Sequence, residues 1–172
     1  MTNIVFSWLF GLGAMACLFL VYQQKKRENL LLCKLLADVC WVTHYLCIGA
    51  FGGAIPNFVG VFRELVFVHR ENKPWANSKI WPVMFITINI SLGFITLNSL
   101  INLMPIFASI FVTISLWLKN PSLIKLISVP VSLSFLFYDV IVGSYIGIIN
   151  ESLAILSIVI SFIKRKENFY EQ

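Results

Sequence analysis

Residues 39–66 read VCWVTHYLCIGAFGGAIPNFVGVFRELV, two apolar runs on either side of a glycine-rich turn. A shift of 94 residues lays this stretch on residues 133–160, which contain FYDVIVGSYIGIINESLAIL at 137–156. Both stretches place an aromatic or histidine pair before a glycine turn and a polar residue early in the second run. The aligned pairs are Trp41 with Phe135, His44 with Tyr138, and Asn57 with Glu151. The sequence therefore predicts an internal repeat.

The composition indicates whether these apolar runs lie in water or in a lipid bilayer. Of the 172 residues, 59% are hydrophobic and 12% are charged, and the mean hydropathy is +0.86. Soluble domains carry about 25% charged residues. Seven apolar segments follow one another, each close to the roughly 20 residues that cross a bilayer: 3–22, 30–50, 54–69, 80–98, 102–118, 123–143 and 147–163. The pattern predicts an all-α membrane protein with seven transmembrane helices.

The repeat predicts how these helices are organised. Helices 1–3 recur as helices 5–7, so helix 4 is a linker and both units cross the membrane in the same direction, as in a parallel repeat. We expect two parallel three-helix bundles joined by a linker helix, a 3+1+3 plan. The expected boundaries are 1–70 for the first bundle, 71–98 for a loop and helix 4, 99–166 for the second bundle, and 167–172 for a tail.

The basic residues predict the orientation. Nearly all of the 13 lysines and arginines lie in the loops at 23–29, 70–79 and 119–122 and in the tail at 164–172. The positive-inside rule then places the N-terminus outside and the C-terminus in the cytoplasm, without a cleaved signal peptide. No run of basic residues long enough to bind a phosphate backbone is present. We expect the lipid bilayer as a partner and no nucleic acid.

The stretches 39–66 and 137–156 resemble two signatures of the YgjV-type bacterial inner-membrane proteins. The helix plan also resembles the SWEET and PQ-loop transporters and, more distantly, the nicotinamide riboside transporters. Those proteins bind a solute between two three-helix bundles. The resemblance implies that Asn57 and Glu151 form the polar pair of such a pocket and that Trp41 and Phe135 supply its aromatic walls. Glu151 stands where the sugar carriers have asparagine.

Ionisable side chains inside a membrane need a partner or a water-filled cavity. Counted from the basic ends of their helices, Asp38 and Arg63 lie at depths of about 12 and 10 Å, so they can meet. In the second repeat both charges are absent together, because serines occupy the matched positions. We expect a structural ion pair, with a gate or an anion-binding role as the alternative. Glu64 follows Arg63 by about 100° around the helix and is expected to face elsewhere.

A second polar layer is predicted roughly 18–23 Å from the basic side. Its members come from helices 2, 3, 6 and 7: His44, Tyr45, Asn57, Tyr138, Asp139 and Glu151. Together with Trp41 and Phe135, they are the candidate substrate-binding residues. Each residue alone also has a structural explanation, such as bonding a free carbonyl, joining an aromatic belt or reaching the membrane surface.

The function favoured by these features is a small-solute transporter or facilitator. The excess of intramembrane acids favours a neutral or cationic solute over an anion. The alternative is a non-transporting structural, receptor or assembly module of the membrane. No catalytic residue, metal site or cofactor is expected, because the phosphate-loop and hydrolase motifs are missing. An intramembrane enzyme is the weakest alternative, and the sequence leaves a homo-oligomer open.

Overall fold

The computed structural model describes residues 2–24, 26–95, 99–118 and 121–170, with the side chains of 2–3, 22–23, 121–125 and 161–170 set aside. Within these ranges the chain forms helices and no strand. Seven are α-helices: α1 (Thr2–Gln23), α2 (Arg27–Cys47), α3 (Phe51–Phe67), α4 (Ile80–Ile95), α5 (Leu103–Trp117), α6 (Pro121–Val142) and α7 (Tyr145–Tyr170). Two short 3-10 helices, Pro74–Asn77 and Leu100–Asn102, precede α4 and α5. The all-α prediction is confirmed.

Three helical stretches of the described chain are long and apolar enough to cross a membrane: Ile4–Val21, Arg27–Cys47 and Leu100–Trp117. Three more apolar helices are shorter, at Ile80–Ile95, Leu126–Val142 and Tyr145–Ile160. The third helix, α3, has 17 residues and carries both Arg63 and Glu64. The membrane character of the chain is therefore plain, whereas the number of spans stays a prediction.

The turn after α2 lies earlier than the sequence indicated. The predicted break between the segments 30–50 and 54–69, at Gly52 and Gly53, is wrong, because α3 already begins at Phe51. The chain reverses at Gly49, whose φ of 72° favours glycine because a Cβ is strained there. Gly143 repeats this turn with a φ of 74°.

Both turns close with the same backbone hydrogen bond, which satisfies a carbonyl in the last turn of the preceding helix. The N–H of Ala50 donates to the carbonyl of Tyr45 at 2.8 Å, and the N–H of Ser144 donates to the carbonyl of Asp139 at 2.9 Å. The two donors are 94 residues apart, as are the two acceptors, which matches the sequence repeat. We call this end of the helices the turn end.

Neighbouring helices in the chain pack against each other from α1 to α3 and from α5 to α7, and α4 contacts α3 and α5. Between the two halves, α3 packs on α5 and α1 on α7. These two contacts are equivalents under the repeat.

At the opposite end of the molecule, which we call the basic end, two arginines bind the C-terminus of α5. Arg27 donates to the carbonyl of Leu116 at 2.7 Å, and Arg70 donates to the carbonyl of Trp117 at 2.6 Å. Arg70 also lies over the Trp117 ring, 3.7 Å from its centroid. These cations bind carbonyls at the C-terminus of α5, which have no partner within the helix.

Candidate functional site

One hydrogen bond at the turn end joins equivalent residues of the two halves. The Tyr45 hydroxyl donates to Asp139 Oδ1 at 2.8 Å, and both side chains are at most 2% exposed. The two residues stand 94 positions apart, so they occupy equivalent positions in the two halves of the chain. A bond between such residues lies where the two halves meet.

The residue that precedes each member of this pair forms a hydrogen bond with the other half of the chain. His44 Nε2 lies 2.8 Å from the hydroxyl of Ser144, at the start of α7. Its counterpart Tyr138 accepts a hydrogen bond at 2.8 Å from the N–H of Gly53, in the first turn of α3. Each half therefore satisfies polar groups at the helix start of the other half. We refer to His44, Tyr45, Gly53, Tyr138, Asp139 and Ser144 as the turn-end seal.

The seal has no room for additional atoms beside its glycine. A Cβ on Gly53 would lie 2.9 Å from Tyr138 Cε1 and 3.0 Å from Tyr45 Cδ1. Nearby, a Cβ on Gly11 of α1 would lie 2.9 Å from Cγ2 of Ile146 on α7. Such distances are shorter than van der Waals contact, so the two halves are closely packed at the turn end.

The structure brings together five of the eight predicted binding residues. Trp41 stacks on Tyr45 with ring centroids 5.7 Å apart, and it meets His44 edge-on at 5.3 Å. Phe135 is half-buried, and the described ring contacts do not join it to Trp41. The polar pair is bound within its own halves. Asn57 donates to its own helix at the Gly53 carbonyl, 2.8 Å away, and Glu151 accepts from Asn150 at 2.9 Å.

The two matched helices α3 and α7 differ sharply toward the basic end. In α3, Gly60, Arg63 and Glu64 are buried. At the equivalent positions of α7, Ala154 and Ile158 are half-buried and Ser157 is exposed. Between positions 151 and 160, no residue of α7 is buried, although Ile146, Gly147 and Asn150 are.

The first half of the chain contains a group of charged residues on α2 and α3. Arg63 donates to Glu64 Oε1 at 2.9 Å from Nη2 and at 3.3 Å from Nε, and Glu64 is fully buried. The prediction that Glu64 faces elsewhere is therefore wrong. Asp38 Oδ2 lies 3.7 Å from Arg63 Nη2, and Asp38 Oδ1 is bound by Lys34. We call Lys34, Asp38, Arg63 and Glu64 the charge cluster.

The charge cluster also reaches the second half of the chain. Arg63 Nη1 donates to the hydroxyl of Thr113 at 3.0 Å and lies 3.5 Å from that of Ser109, both on α5. Two cations and two anions thus lie together, three of them buried and Lys34 half-buried, and their formal charges cancel. In the part of the chain that the structure describes, no group of three or more His, Cys, Asp and Glu side chains is placed to hold a metal ion.

Sequence reasoning overlooked Lys34 and Ser144, although signals for both existed. Lys34 stands four residues before Asp38, a spacing that brings side chains together on a helix. Ser144 follows the turn glycine Gly143 and immediately precedes α7, at the N-cap position, where serine is a preferred residue. Its hydroxyl accepts a hydrogen bond from the N–H of Gly147 at 3.3 Å.

A comparison with protein-family profiles agrees with this membrane-embedded architecture. The profile of Imp-YgjV, a family described as bacterial inner membrane protein, matches residues 5–168. The chain belongs to this family. Searches of the curated proteins and of the solved structures give no match. Membership of the YgjV family confirms the suspected family resemblance and places the chain in the bacterial inner membrane.

Proposed function

We propose that this YgjV-family chain is a small-solute carrier built from two parallel three-helix bundles and a linker helix, with seven membrane spans. In this proposal the turn-end seal closes one side of the membrane, and a cleft beside α7 opens on the other. With the N-terminus outside, the basic end and the cleft face the cytoplasm. Carriers with internal repeats work by rocking one bundle against the other around a central site.

The observation that carries the proposal is the difference between α3 and α7. Arg63 is 2% exposed, and Ser157, its equivalent on α7, is exposed. The next pair behaves differently, because Phe62 and Leu156 are exposed by 50% and 55%. A face that is open in both halves fits a lipid-facing surface. A face that is covered in α3 and open in α7 fits a cleft between the bundles.

The chemistry along this side of α7 supports a neutral or cationic solute. Glu151 is half-buried beside Asn150, and it forms a hydrogen bond with Ser132 of α6. A carboxylate with amide and hydroxyl neighbours suits a solute that donates hydrogen bonds or carries positive charge. Asn57 is 8% exposed and occupies the matched position on α3.

The first test of the cleft is thiol labelling in membrane vesicles. With the four native cysteines replaced, Ser157→Cys should react with a charged, membrane-impermeant thiol reagent supplied at the basic end. Leu156→Cys is the matched control, since its exposed side chain would face lipid and should stay unreactive. Equal reactivity of the two cysteines, or none at position 157, would remove the cleft and favour the structural module.

The second test is a reversible lock on transport. A Cβ on Gly11 would lie 3.1 Å from the Cβ of Ile146, somewhat below the roughly 3.8 Å typical of a disulfide, so Gly11→Cys with Ile146→Cys should cross-link after a small shift. The control pair is Gly93→Cys with Ile106→Cys, at 3.8 Å, which joins the neighbouring helices α4 and α5 and includes no residue of the seal. Proteoliposomes loaded with a labelled mixture of neutral and cationic metabolites should release a component. Oxidation of the first pair alone should stop that release, and a reductant should restore it. A mixture that never moves would favour the non-transporting module.

A further inference from the structure

The turn-end seal contains a buried acid that forms no ion pair among the described residues. Asp139 is 1% exposed and accepts one hydrogen bond, from Tyr45, on Oδ1. Its Oδ2 has no well-aligned hydrogen bond among the described residues, although the hydroxyl of Ser144 lies within reach. A buried carboxylate that lacks both a counter-charge and a full set of donors is strongly disfavoured.

The titratable groups around Asp139 offer it no positive charge. From α2 it meets Tyr45, with His44 behind Ser144, and on its own helix it adjoins Tyr138. From α7 it interacts electrostatically with Glu151, which is a second acid. Helix α5 has no ionisable side chain, and the ionisable residues of α3 belong to the charge cluster. None of the ion pairs among the described residues includes Asp139.

The hydrogen bonds of His44 restrict where protons can sit. Its Nδ1 lies 2.8 Å from the carbonyl oxygen of Ser7, which can only accept, and 3.2 Å from the hydroxyl of the same serine. The shorter contact assigns the proton to Nδ1. In a neutral imidazole Nε2 is then an acceptor, and the hydroxyl proton of Ser144 is directed to it. Ser144 has no second proton to give, and Asp139 Oδ2 is left without a donor unless it is itself protonated.

We propose that the turn-end seal holds one transferable proton on the line Asp139, Ser144 and His44, and that the seal opens when this proton leaves. This rests on the proposed function, because it names the ion to which opening is coupled. In the closed seal the Asp139 O–H donates to Ser144. On opening, that O–H bond breaks, the proton passes to water at the turn end, and the carboxylate is hydrated. Closing the seal requires a proton to return.

The inference is tested by the pH dependence of access to the seal. Ala50→Cys, 7% exposed at the start of α3, reports opening in a background without the four native cysteines. Tyr145→Cys, 66% exposed beside the seal, is the matched control that corrects for thiol ionisation. Release of a single proton raises the ratio of open to closed molecules by about tenfold per pH unit. The corrected labelling rate should therefore rise with that slope until it saturates.

Asp139→Asn should give a low corrected rate with no pH dependence, because the amide resembles the protonated acid and cannot ionise. Glu71→Gln should keep both slope and midpoint, since that exposed acid lies beside Arg27 at the basic end, away from the proton line. Ser144→Ala retains the acid without the link to His44, so the slope should persist with a shifted midpoint.

A flat profile in the unsubstituted seal, or the same slope in Asp139→Asn, would overturn the inference. Infrared difference spectra provide a check that is independent of labelling, because the carbonyl band of a protonated carboxylic acid should disappear in Asp139→Asn. An unchanged band would also overturn it. Labelling of Ser157→Cys in the same samples separates these outcomes from a failure of the carrier proposal.

Discussion

The charge cluster allows the pairing of Arg63 with Glu64 to be tested as a thermodynamic cycle. Arg63→Leu removes the bonds at 2.9 and 3.3 Å to a carboxylate that is fully buried. Lys34 then faces two buried acids, Asp38 and Glu64, and one negative charge is uncompensated. Removing one partner of a buried ion pair costs about 3–5 kcal/mol, and we expect that loss in the free energy of unfolding.

The double substitution Arg63→Leu with Glu64→Leu should be far milder. Lys34 and Asp38 remain as a pair, and Thr113 keeps its hydrogen bond at 2.7 Å to the carbonyl of Ser109. Replacing a complete buried ion pair with apolar side chains is often neutral or stabilising. The expected coupling energy between the two positions is therefore about 3 kcal/mol, near the upper end for residues in contact.

The free energy of unfolding can be measured by denaturant titration in mixed micelles. Phe62→Leu is the control, because this half-exposed neighbour on α3 should change stability by no more than about 0.5 kcal/mol. If the double variant loses the sum of the two single losses, Arg63 and Glu64 do not act as a pair. The account of the charge cluster would then fail.

Three further predictions follow from the fold. Tyr138→Phe removes the shorter of the two hydrogen bonds of the Gly53 N–H, which keeps the carbonyl of Ala50 at 3.1 Å, so stability in micelles should fall by about 1 kcal/mol, and Ala50→Cys should label faster. Gly53→Ala should cost about 1–3 kcal/mol by overpacking, whereas Gly13→Ala, whose Cβ would meet only Cys40 Sγ at 3.7 Å, should be tolerated in the same titration. A reporter that is active only in the cytoplasm should work at the C-terminus and fail at the N-terminus, and the reverse pattern would contradict the orientation.

The sequence predicts the repeat because matched turns need matched residues. Gly49 and Gly143 are required by a backbone conformation that other residues rarely adopt, so they mark equivalent points in the two halves. The exchange at the seal could not be predicted in the same way. Helix periodicity shows which residues share a face, but it does not show that His44 reaches Ser144 of the other half.

The error at Glu64 has a geometric cause. The 100° step between neighbours on a helix fixes the directions of their Cβ atoms. It does not fix the end of a long side chain, and the guanidinium of Arg63 curves back to meet the adjacent carboxylate. The expected contact with Asp38 exists at 3.7 Å, longer than the bonds to Glu64. Counting depth identified Asp38 and Arg63, two of the four residues of the charge cluster, whereas the choice of partner depended on side-chain flexibility.

The two junctions between the halves show why α7 differs from its counterpart. At the junction of α3 with α5, Arg63 bonds Thr113 and approaches Ser109. The repeat places Ser157 at the equivalent of Arg63, and it places Met15 and Phe19 of α1 at the equivalents of the two hydroxyls. These side chains cannot reproduce the bonds, because a short hydroxyl would have to reach a thioether and an aromatic ring. Among the described residues, α7 is held to the first half at its turn end, through Ser144 and Ile146. In the described part of the chain, α3 thus contacts the second half at Gly53 and again at Arg63, whereas α7, the helix that carries Glu151, contacts the first half at its turn end.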